Sequence, residues 1–244
     1  MRVAALSDIH GNLPALEAVL AEVRREAPDL VVICGDVASG PLPVETLDRL
    51  MTLPGARFLH GNADRSLVAG FDGSAKPRLA GPGADWCAAQ LSKEHRDFLA
   101  SFPHEVRLEI DGLGRVLFCH GSPRGDEEMM TAATPEDRLR EIIVGSEAEV
   151  IVCGHTHMQF DRMVDGVRIV NPGSVGMPYG EPGAYWALLG PDIGFRRTDY
   201  DRESAAARIG ESSWPDAPGF ARDNVLSVPG AAEAMDFFRK HGGP

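Results

Sequence analysis

The chain has 244 residues, of which 43% are hydrophobic and 25% are charged, and its formal net charge at pH 7 is −12. This composition is typical of a globular protein with a substantial core, and no apolar run approaches the roughly 20 residues that a membrane helix needs. The acidic balance disfavours long nucleic acid as a partner, because phosphate backbones are bound by clustered lysine and arginine. No apolar stretch is long enough for a signal peptide, so we expect a cytoplasmic protein without a membrane partner.

The four cysteines agree with that expectation. Cys34, Cys119 and Cys153 end apolar runs, and Cys87 lies in a predicted helix. The absence of a CxxC pair argues against a zinc ribbon or a redox motif. We therefore predict small, buried core residues in a reducing compartment.

The first half of the chain alternates between apolar runs and amphipathic segments. Residues 3–6, 30–34 and 56–60 predict buried strands, and Asn12 and Pro14 are typical of the start of the helix that follows the first strand. A second helix is predicted over 44–53. The stretch 71–85, rich in glycine and proline, predicts a surface loop, followed by helices over 86–91 and 94–102. Strand, helix, strand is a βαβ unit, which indicates an α/β fold.

The second half predicts hairpins and a helical tail. Strands over 105–110 and 116–119 flank an Asp-Gly turn, and strands over 160–164 and 167–170 flank another. Between them, the polar segment 125–134 is a lid over a site or an ordinary surface loop, and a helix over 135–145 precedes the buried strand 150–153. After a turn at 171–176 come strands over 184–189 and 193–198. The tail holds helices over 202–209 and 231–241, joined by a proline-rich linker.

No stretch of the sequence has the composition of a linker that would divide the chain into two domains. We therefore predict a single domain over 1–244, with a motif-bearing core over 1–200 and a helical tail over 201–244. Two roles for the tail stay open, because it could cover a core of its own subunit or pair with a second subunit in a homo-oligomer.

Ligand-type side chains follow five strand ends, each beside a glycine. The strand over 150–153 is followed by His155 and His157, which would project to one side in extended chain. Four earlier strand ends supply the remaining candidates, which are Asp8 and His10, Asp36, Asn62, and His120. Seven nitrogen and oxygen donors are too many for one tetrahedral ion. The pattern predicts two metal ions with a bridging carboxylate, and mixed imidazole, carboxylate and amide donors favour Mn²⁺, with Fe, Zn²⁺ or Ni²⁺ as alternatives.

These motifs resemble the motif set of the calcineurin-like metallophosphoesterases. They are Ser-Asp-Ile-His-Gly-Asn (7–12), Gly-Asp (35–36), Gly-Asn-Ala-Asp (61–64), His-Gly (120–121) and Gly-His-Thr-His (154–157). The ending Asn-Pro-Gly-Ser-Val-Gly (171–176) resembles the bacterial phosphodiesterase branch. The resemblance implies a four-layer αββα sandwich, in which two mixed β-sheets are flanked by helices. It also implies that one metal is held by Asp8, His10, Asp36 and His157, and that Asp36 bridges to a second metal held by Asn62, His120 and His155.

The resemblance implies hydrolysis of a phosphoester by a hydroxide that bridges the two metals. Asn62 can coordinate metal through its carbonyl oxygen and donate its amide to a phosphoryl oxygen. Asp36 and His120 complete the predicted catalytic set, and replacing Asp36 should abolish activity and remove bound metal. We interpret Asn12 and Asp64 as capping residues or as groups that orient the ligands.

One position departs from the family pattern. Many members carry, where this chain has Ala63, a histidine that protonates the leaving group or binds the phosphate. General acid catalysis contributes roughly 10²–10⁴-fold, so its absence favours substrates with good leaving groups. His60 is either a replacement acid or a packed strand residue. Arg124 is either a bidentate ligand for a substrate phosphate or half of a surface salt bridge.

The predicted function is hydrolysis of small phosphoesters, above all phosphodiesters. Nucleotides are one candidate class of substrate, whereas nucleic acid chains are not expected. Phosphomonoesterase, protein phosphatase and dinucleoside polyphosphate hydrolase activities are alternatives on the same site, although Ala63 counts against a protein phosphatase. Outside the enzymes, the alternative is a non-catalytic metal-binding scaffold, which the complete set of seven ligand positions disfavours.

Overall fold

The structure is a computed structural model that describes residues 1–74 and 83–241. Its described part contains ten strands: β1 (Val3–Leu6), β2 (Leu30–Cys34), β3 (Ala56–Leu59), β4 (Glu105–Ile110), β5 (Gly114–Cys119), β6 (Val150–Val152), β7 (Phe160–Val164), β8 (Val167–Asn171), β9 (Ala184–Leu189) and β10 (Ile193–Thr198). Its helices are α1 (Leu13–Glu26), α2 (Pro43–Met51), α3 (Asn62–Phe71), α4 (Ala84–Gln90), α5 (Lys93–Ala100), α6 (Glu136–Ile143), α7 (Arg202–Gly210), α8 (Ala217–Phe220) and α9 (Ala231–His241), with a π-helical turn over Ala221–Leu226.

The strands form two mixed sheets. The first has the order β10-β9-β1-β2-β3, in which β1, β2 and β3 are parallel and β9 and β10 are antiparallel. The second has the order β4-β5-β6-β8-β7, with a parallel centre formed by β5, β6 and β8. Because parallel strands end on the same side, β1, β2 and β3 open their carboxyl ends at one edge, as do β5 and β6.

The two sheets pack face to face because their central strands are apolar on both faces. In β1, Val3 and Ala5 join the cluster between the sheets, whereas Ala4 and Leu6 pack against helices on the outer face. In β5, Phe118 faces the other sheet, and the alternate residues pack with α6. The order helix, sheet, sheet, helix confirms the predicted four-layer sandwich.

The tail packs on its own subunit. Ile209, Phe220 and Val225 belong to the same hydrophobic cluster as Ala4 and as the buried face of α1. Of the two predicted roles, covering the core is therefore the one that this part of the tail performs. Among the described residues, no helix combines the length and the apolar character that a membrane crossing requires.

All four cysteines are buried free thiols, as predicted. Several boundaries differ from the sequence prediction. The third strand ends at Leu59, and α3 begins three residues later, where no helix was predicted. The predicted loop over 71–85 lies mostly outside the described residues, and α4 already begins at Ala84. The proline-rich linker is not extended, because it contains α8 and the π-helical turn.

Part of the segment 125–134 packs against the second sheet. Met130 is 1% exposed and packs behind the second sheet, and Asp126 and Thr131 are also buried. The hydroxyl of Thr156 donates a hydrogen bond to the carbonyl oxygen of Met130 at 3.3 Å. This packing favours the alternative of an ordinary, well-packed connection.

Candidate metal centre and active site

The predicted ligands converge at one end of the sandwich, between the two sheets. Asp8, His10 and Asp36 follow strands of the first sheet, and His155 and His157 follow a strand of the second. All five have a left-handed backbone, with φ between 49° and 67°. The extended-chain alternation used to predict that His155 and His157 point together is therefore wrong. The two rings still reach one site, but they join different ligand groups.

The first group consists of Asp8, His10 and His157, whose donor atoms all lie within 4.8 Å of one another. The Nε2 atoms of His10 and His157 are 3.2 Å apart. Oδ1 of Asp8 is buried without a hydrogen bond to any group in the described part of the chain, and it lies 3.3 Å from Nε2 of His157. A buried carboxylate oxygen without a partner is costly, and a cation between these three donors would satisfy it.

The second group consists of Asp36, His120 and His155, again with donor atoms within 4.8 Å of one another. Oδ2 of Asp36 lies 3.4 Å from Nε2 of His120 and 3.7 Å from Nε2 of His10. The Asp36 carboxylate therefore lies between the two groups and within reach of a histidine from each. Oδ1 of Asn62 is 3.1 Å from Nε2 of His120, so the amide borders the second group.

Hydrogen bonds at Nδ1 orient three of the histidine rings. In each ring Nδ1 donates to a backbone carbonyl oxygen, which leaves Nε2 to face the centre of the site. The three pairs are His10 to Ser39 at 3.2 Å, His120 to Cys34 at 2.7 Å and His157 to Met177 at 2.8 Å. Such bonds are typical of histidines that bind metal through the opposite nitrogen.

Charges at the site are mutually compensated. Burial lowers the pKa of an imidazole, but at His120 the Asp36 and Asp8 carboxylates outweigh it and raise the pKa to about 10. Burial and the neighbouring His120 lower the pKa of His155 to about 4. Burial of Asp36 opposes ionisation, yet His120 and His10 hold its pKa well below its usual range. Binding of a divalent ion through Nε2 of His120 would require this imidazole to be unprotonated at that nitrogen, so metal binding there would be coupled to proton release.

Asp64 and Gly61 fix the loop that carries Asp36. The Asp64 carboxylate accepts hydrogen bonds from the backbone N–H groups of Asp36 at 2.8 Å, Val37 at 2.9 Å and Gly61 at 2.9 Å. A side chain at Gly61 would collide with Oδ1 and the backbone nitrogen of Asp36, so only glycine allows this approach. The geometry agrees with the predicted orienting role of Asp64.

The turn at 171–176 also supports the loops that carry the predicted metal ligands. The hydroxyl of Ser174 donates to the carbonyl oxygen of Asp8 at 2.7 Å, and the amide of Asn171 donates to the carbonyl oxygen of Gly154 at 2.7 Å. Asn12 caps α1 through Ala15 and donates to the carbonyl oxygen of Gly176, as expected of a capping residue.

The structure places Arg124 and His60 away from the cavity beside the metal groups. The guanidinium of Arg124 forms an ion pair with Glu128, which favours the surface salt bridge among its two predicted roles. Nδ1 of His60 lies 3.2 Å from Oδ2 of Asp126, whose carboxylate is also bound by Arg65. These contacts support a structural role, and catalysis by His60 or substrate binding by Arg124 stays a prediction.

The sequence reasoning missed the aromatic residues that the tail brings to the site. Trp214 and Phe220 line the same cavity as His10, Asp36 and Asn62. On another side, the ring of Tyr179 lies 5.8 Å from that of His157 and contacts Phe238 of α9. The signal in the sequence was a tryptophan within a proline-rich stretch, but no local pattern tells which distant surface such a residue covers.

Fold and site together define a metal-dependent phosphoesterase. A family model of the calcineurin-like phosphoesterase superfamily domain matches residues 1–191, so the chain belongs to that superfamily and is a phosphoric ester hydrolase. The matched region ends before the tail.

Relatives and a solved structure are similar to this chain over most of its length. The chain is 27% identical to phosphodiesterase YfcE of Escherichia coli, over 79% of this chain and 89% of that protein. It is 25% identical to an uncharacterised protein of Methanocaldococcus jannaschii, over 88% of this chain and 94% of that protein. Among solved structures, a metallophosphoesterase from Sphaerobacter thermophilus has a TM-score of 0.71 and 27% identity, with 93% of this chain and 98% of that chain covered.

Proposed function

We propose that this protein hydrolyses small phosphodiesters with two divalent ions held at the metal centre. The observation that carries the proposal is the position of Asp36, whose Oδ2 faces His10 of one ligand group and His120 of the other. When bound, the ions supply a hydroxide nucleophile near neutral pH and neutralise charge on the phosphoryl oxygens. Manganese is the proposed metal, with Fe, Zn²⁺ or Ni²⁺ as alternatives, because imidazole and carboxylate donors suit all four.

The residues of the chain would divide the work as follows. Asp8, His10 and His157 would hold one ion, and His120, His155 and Asn62 would hold the other, with Asp36 shared. Asn62 lines the cavity, where its amide NH₂ can donate to a phosphoryl oxygen. The Nδ1 hydrogen bonds keep the imidazoles in place, so little reorganisation is needed during the reaction.

One feature of the described lining favours a diester over a monoester. Among the described residues that line the cavity there is no lysine or arginine, so these residues offer no cation to the second negative charge of a monoester. Ala63 also lies in this lining and cannot protonate a leaving group, which favours esters with good leaving groups. The identity to a curated phosphodiesterase adds support from outside the chain.

The test is hydrolysis of bis(p-nitrophenyl) phosphate against p-nitrophenyl phosphate by metal-stripped protein resupplied with Mn²⁺. We expect metal-dependent turnover that is faster on the diester. In His157→Ala turnover should fall at least roughly 100-fold, because removal even of a group that only supports a metal ligand costs about 10–100-fold in metal affinity or activity. Faster turnover of the monoester would favour a phosphatase. Tight metal binding without turnover of either ester would favour the scaffold.

A further inference from the structure

A cavity of about 360 Å³ opens directly beside the metal centre. Its lining includes His10, Asp36 and Asn62, which belong to the predicted metal and phosphate site. The same lining includes Trp214, Pro215 and Phe220, which we call the tail wall. A phosphoester bound at the metals would therefore extend one of its organic groups towards the tail wall.

The tail wall is a built surface. The rings of Trp214 and Phe220 meet edge to face, with centroids 5.7 Å apart, and Phe220 is only 4% exposed. The backbone N–H of Ala217 donates to the carbonyl oxygen of Trp214 at 3.1 Å, which closes the turn that presents the indole. Gly83 lies against the indole so closely that a side chain there would collide with it. Packing therefore holds the two rings in place before any ligand binds.

The chemistry of the cavity selects the kind of group that can enter it. Small side chains, among them Ala63 and Ala84, leave room beside the rings. Asp216 also belongs to the described lining, next to the tail wall in sequence, so a further phosphate bound there would meet a negatively charged residue. The volume lies at the lower end of the roughly 300–1,000 Å³ range of small-molecule sites. A flat, uncharged ring fits these conditions, whereas a polyphosphate chain does not.

We propose that the tail wall binds a flat, uncharged organic group of the substrate, an aryl group or a nucleobase, and so determines substrate specificity. The inference rests on the proposed function, because the phosphate must sit at the metal centre for the ring to reach Trp214. It assigns a role to the part of the chain beyond residue 191, which the family model does not match.

The experiment measures binding of three non-hydrolysable phosphonates to the full-length, Mn²⁺-loaded protein by titration calorimetry. Phenylphosphonate carries a ring, methylphosphonate carries none, and 2-aminoethylphosphonate carries a cation. We expect the phenyl compound to bind about tenfold more tightly than the methyl compound, since an aromatic contact with burial contributes about this much. Trp214→Ala should remove most of that preference and leave methylphosphonate within about twofold, whereas Trp214→Phe should retain most of it.

Trp86→Ala is the matched control, because Trp86 packs on the same hydrophobic cluster but lines a different cavity. It should leave the phenyl preference unchanged. Equal binding of the phenyl and methyl compounds to the wild type, with diester turnover intact, would overturn only this inference. Tightest binding of the aminoethyl compound would overturn it in favour of a cationic group. Absence of both phosphonate binding and turnover would overturn the proposed function as well.

Discussion

Five of the predicted metal ligands have a left-handed backbone, which ordinary residues avoid at a cost of roughly 1–2 kcal/mol each. The surrounding hydrogen bonds keep them there: the backbone N–H of His10 donates to the carbonyl oxygen of Asp36 at 2.9 Å, and that of Asp8 donates to the carbonyl oxygen of Gly35 at 3.1 Å. Strain of this kind is concentrated at functional sites, where it aims side chains that a regular strand or helix would separate.

At the residue scale, Gly61→Ala tests whether the close approach of Gly61 keeps the Asp36 carboxylate in its position. The added methyl group would push the Asp36 carboxylate away from its position between the ligand groups. We expect Mn²⁺-dependent turnover to fall at least roughly tenfold, since disturbed support of metal ligands has effects of this size. The control is Gly210→Ala, where an added side chain meets nothing and the helix gains a better helix-forming residue. Unchanged turnover in the Gly61 variant would contradict the bridging role of Asp36.

A second residue-level prediction concerns Ala63, which lines the cavity where many family members carry histidine. Ala63→His would supply the missing general acid. We expect it to raise turnover of a diester with a poor alkyl leaving group at least roughly tenfold, and to change turnover of bis(p-nitrophenyl) phosphate little. Rates measured on the two esters, with the same metal content, give the comparison. Equal gains on both esters would show that the added histidine acts in another way.

At the scale of elements, a buried carboxylate connects α3 to the segment that follows β5. Asp126 is 7% exposed and accepts hydrogen bonds from Arg65 of α3, and it also contacts His60 at the end of β3. Since α3 follows the first sheet and Asp126 follows the second, the contact fixes one sheet against the other close to the metal centre. Burial alone would raise the pKa of Asp126, but His60 and Arg65 outweigh it and hold the pKa well below its usual range.

We expect Asp126→Asn to lower the free energy of unfolding by about 1–3 kcal/mol at pH 7. This loss is smaller than that expected for a fully buried ion pair, because Arg65 is half exposed. A depressed pKa contributes stability that is present above the unfolded value, near 4, and is lost as pH falls through the folded value. Urea unfolding of metal-stripped protein should therefore show a difference between wild type and variant at pH 7 that shrinks below about pH 4. Asp137→Asn, on a fully exposed ion pair, is the control and should change little.

The sequence predicts the strands of this protein better than its connections. Runs such as 184–189 and 193–198 are apolar or alternate clearly, and their ends were predicted to the residue. The seven predicted ligand positions were selected because each follows a strand beside a glycine, and the structure brings six of them into two groups with Asn62 beside the second. Their role as metal ligands stays a prediction. The α3 helix was missed because it starts at a predicted ligand, Asn62, and Leu67 is the one apolar residue that it buries. The places of Asp126 and Trp214 depend on contacts across long stretches of chain, which no local pattern contains.

For the whole molecule, the metal centre is also a connection between the two sheets. Asp8 and His10 follow the first sheet and His157 follows the second, and the other group likewise combines Asp36 with His120 and His155. Each ion would therefore hold both sheets at the edge where the hydrophobic cluster between them ends.

Metal should accordingly raise the stability of the entire sandwich. A ligand at 1,000 times its dissociation constant adds about 4 kcal/mol, which for a chain of this size corresponds to a rise of about 10 °C in melting temperature. We expect Mn²⁺ to produce a shift of this order in metal-stripped wild type, followed by calorimetry, and a much smaller shift in Asp36→Asn. An equal shift in both proteins would place the stabilising ion elsewhere.

The position of Trp214 gives the protein an intrinsic optical reporter. The chain has three tryptophans, and Trp186 is fully buried in the core while Trp86 lines a different cavity. Trp214 alone among them borders the cavity beside the metal centre. The difference in fluorescence between wild type and Trp214→Phe therefore isolates one emitter beside the site. Its quenching by a nitroaromatic compound would follow occupancy in real time, without a label and without waiting for turnover.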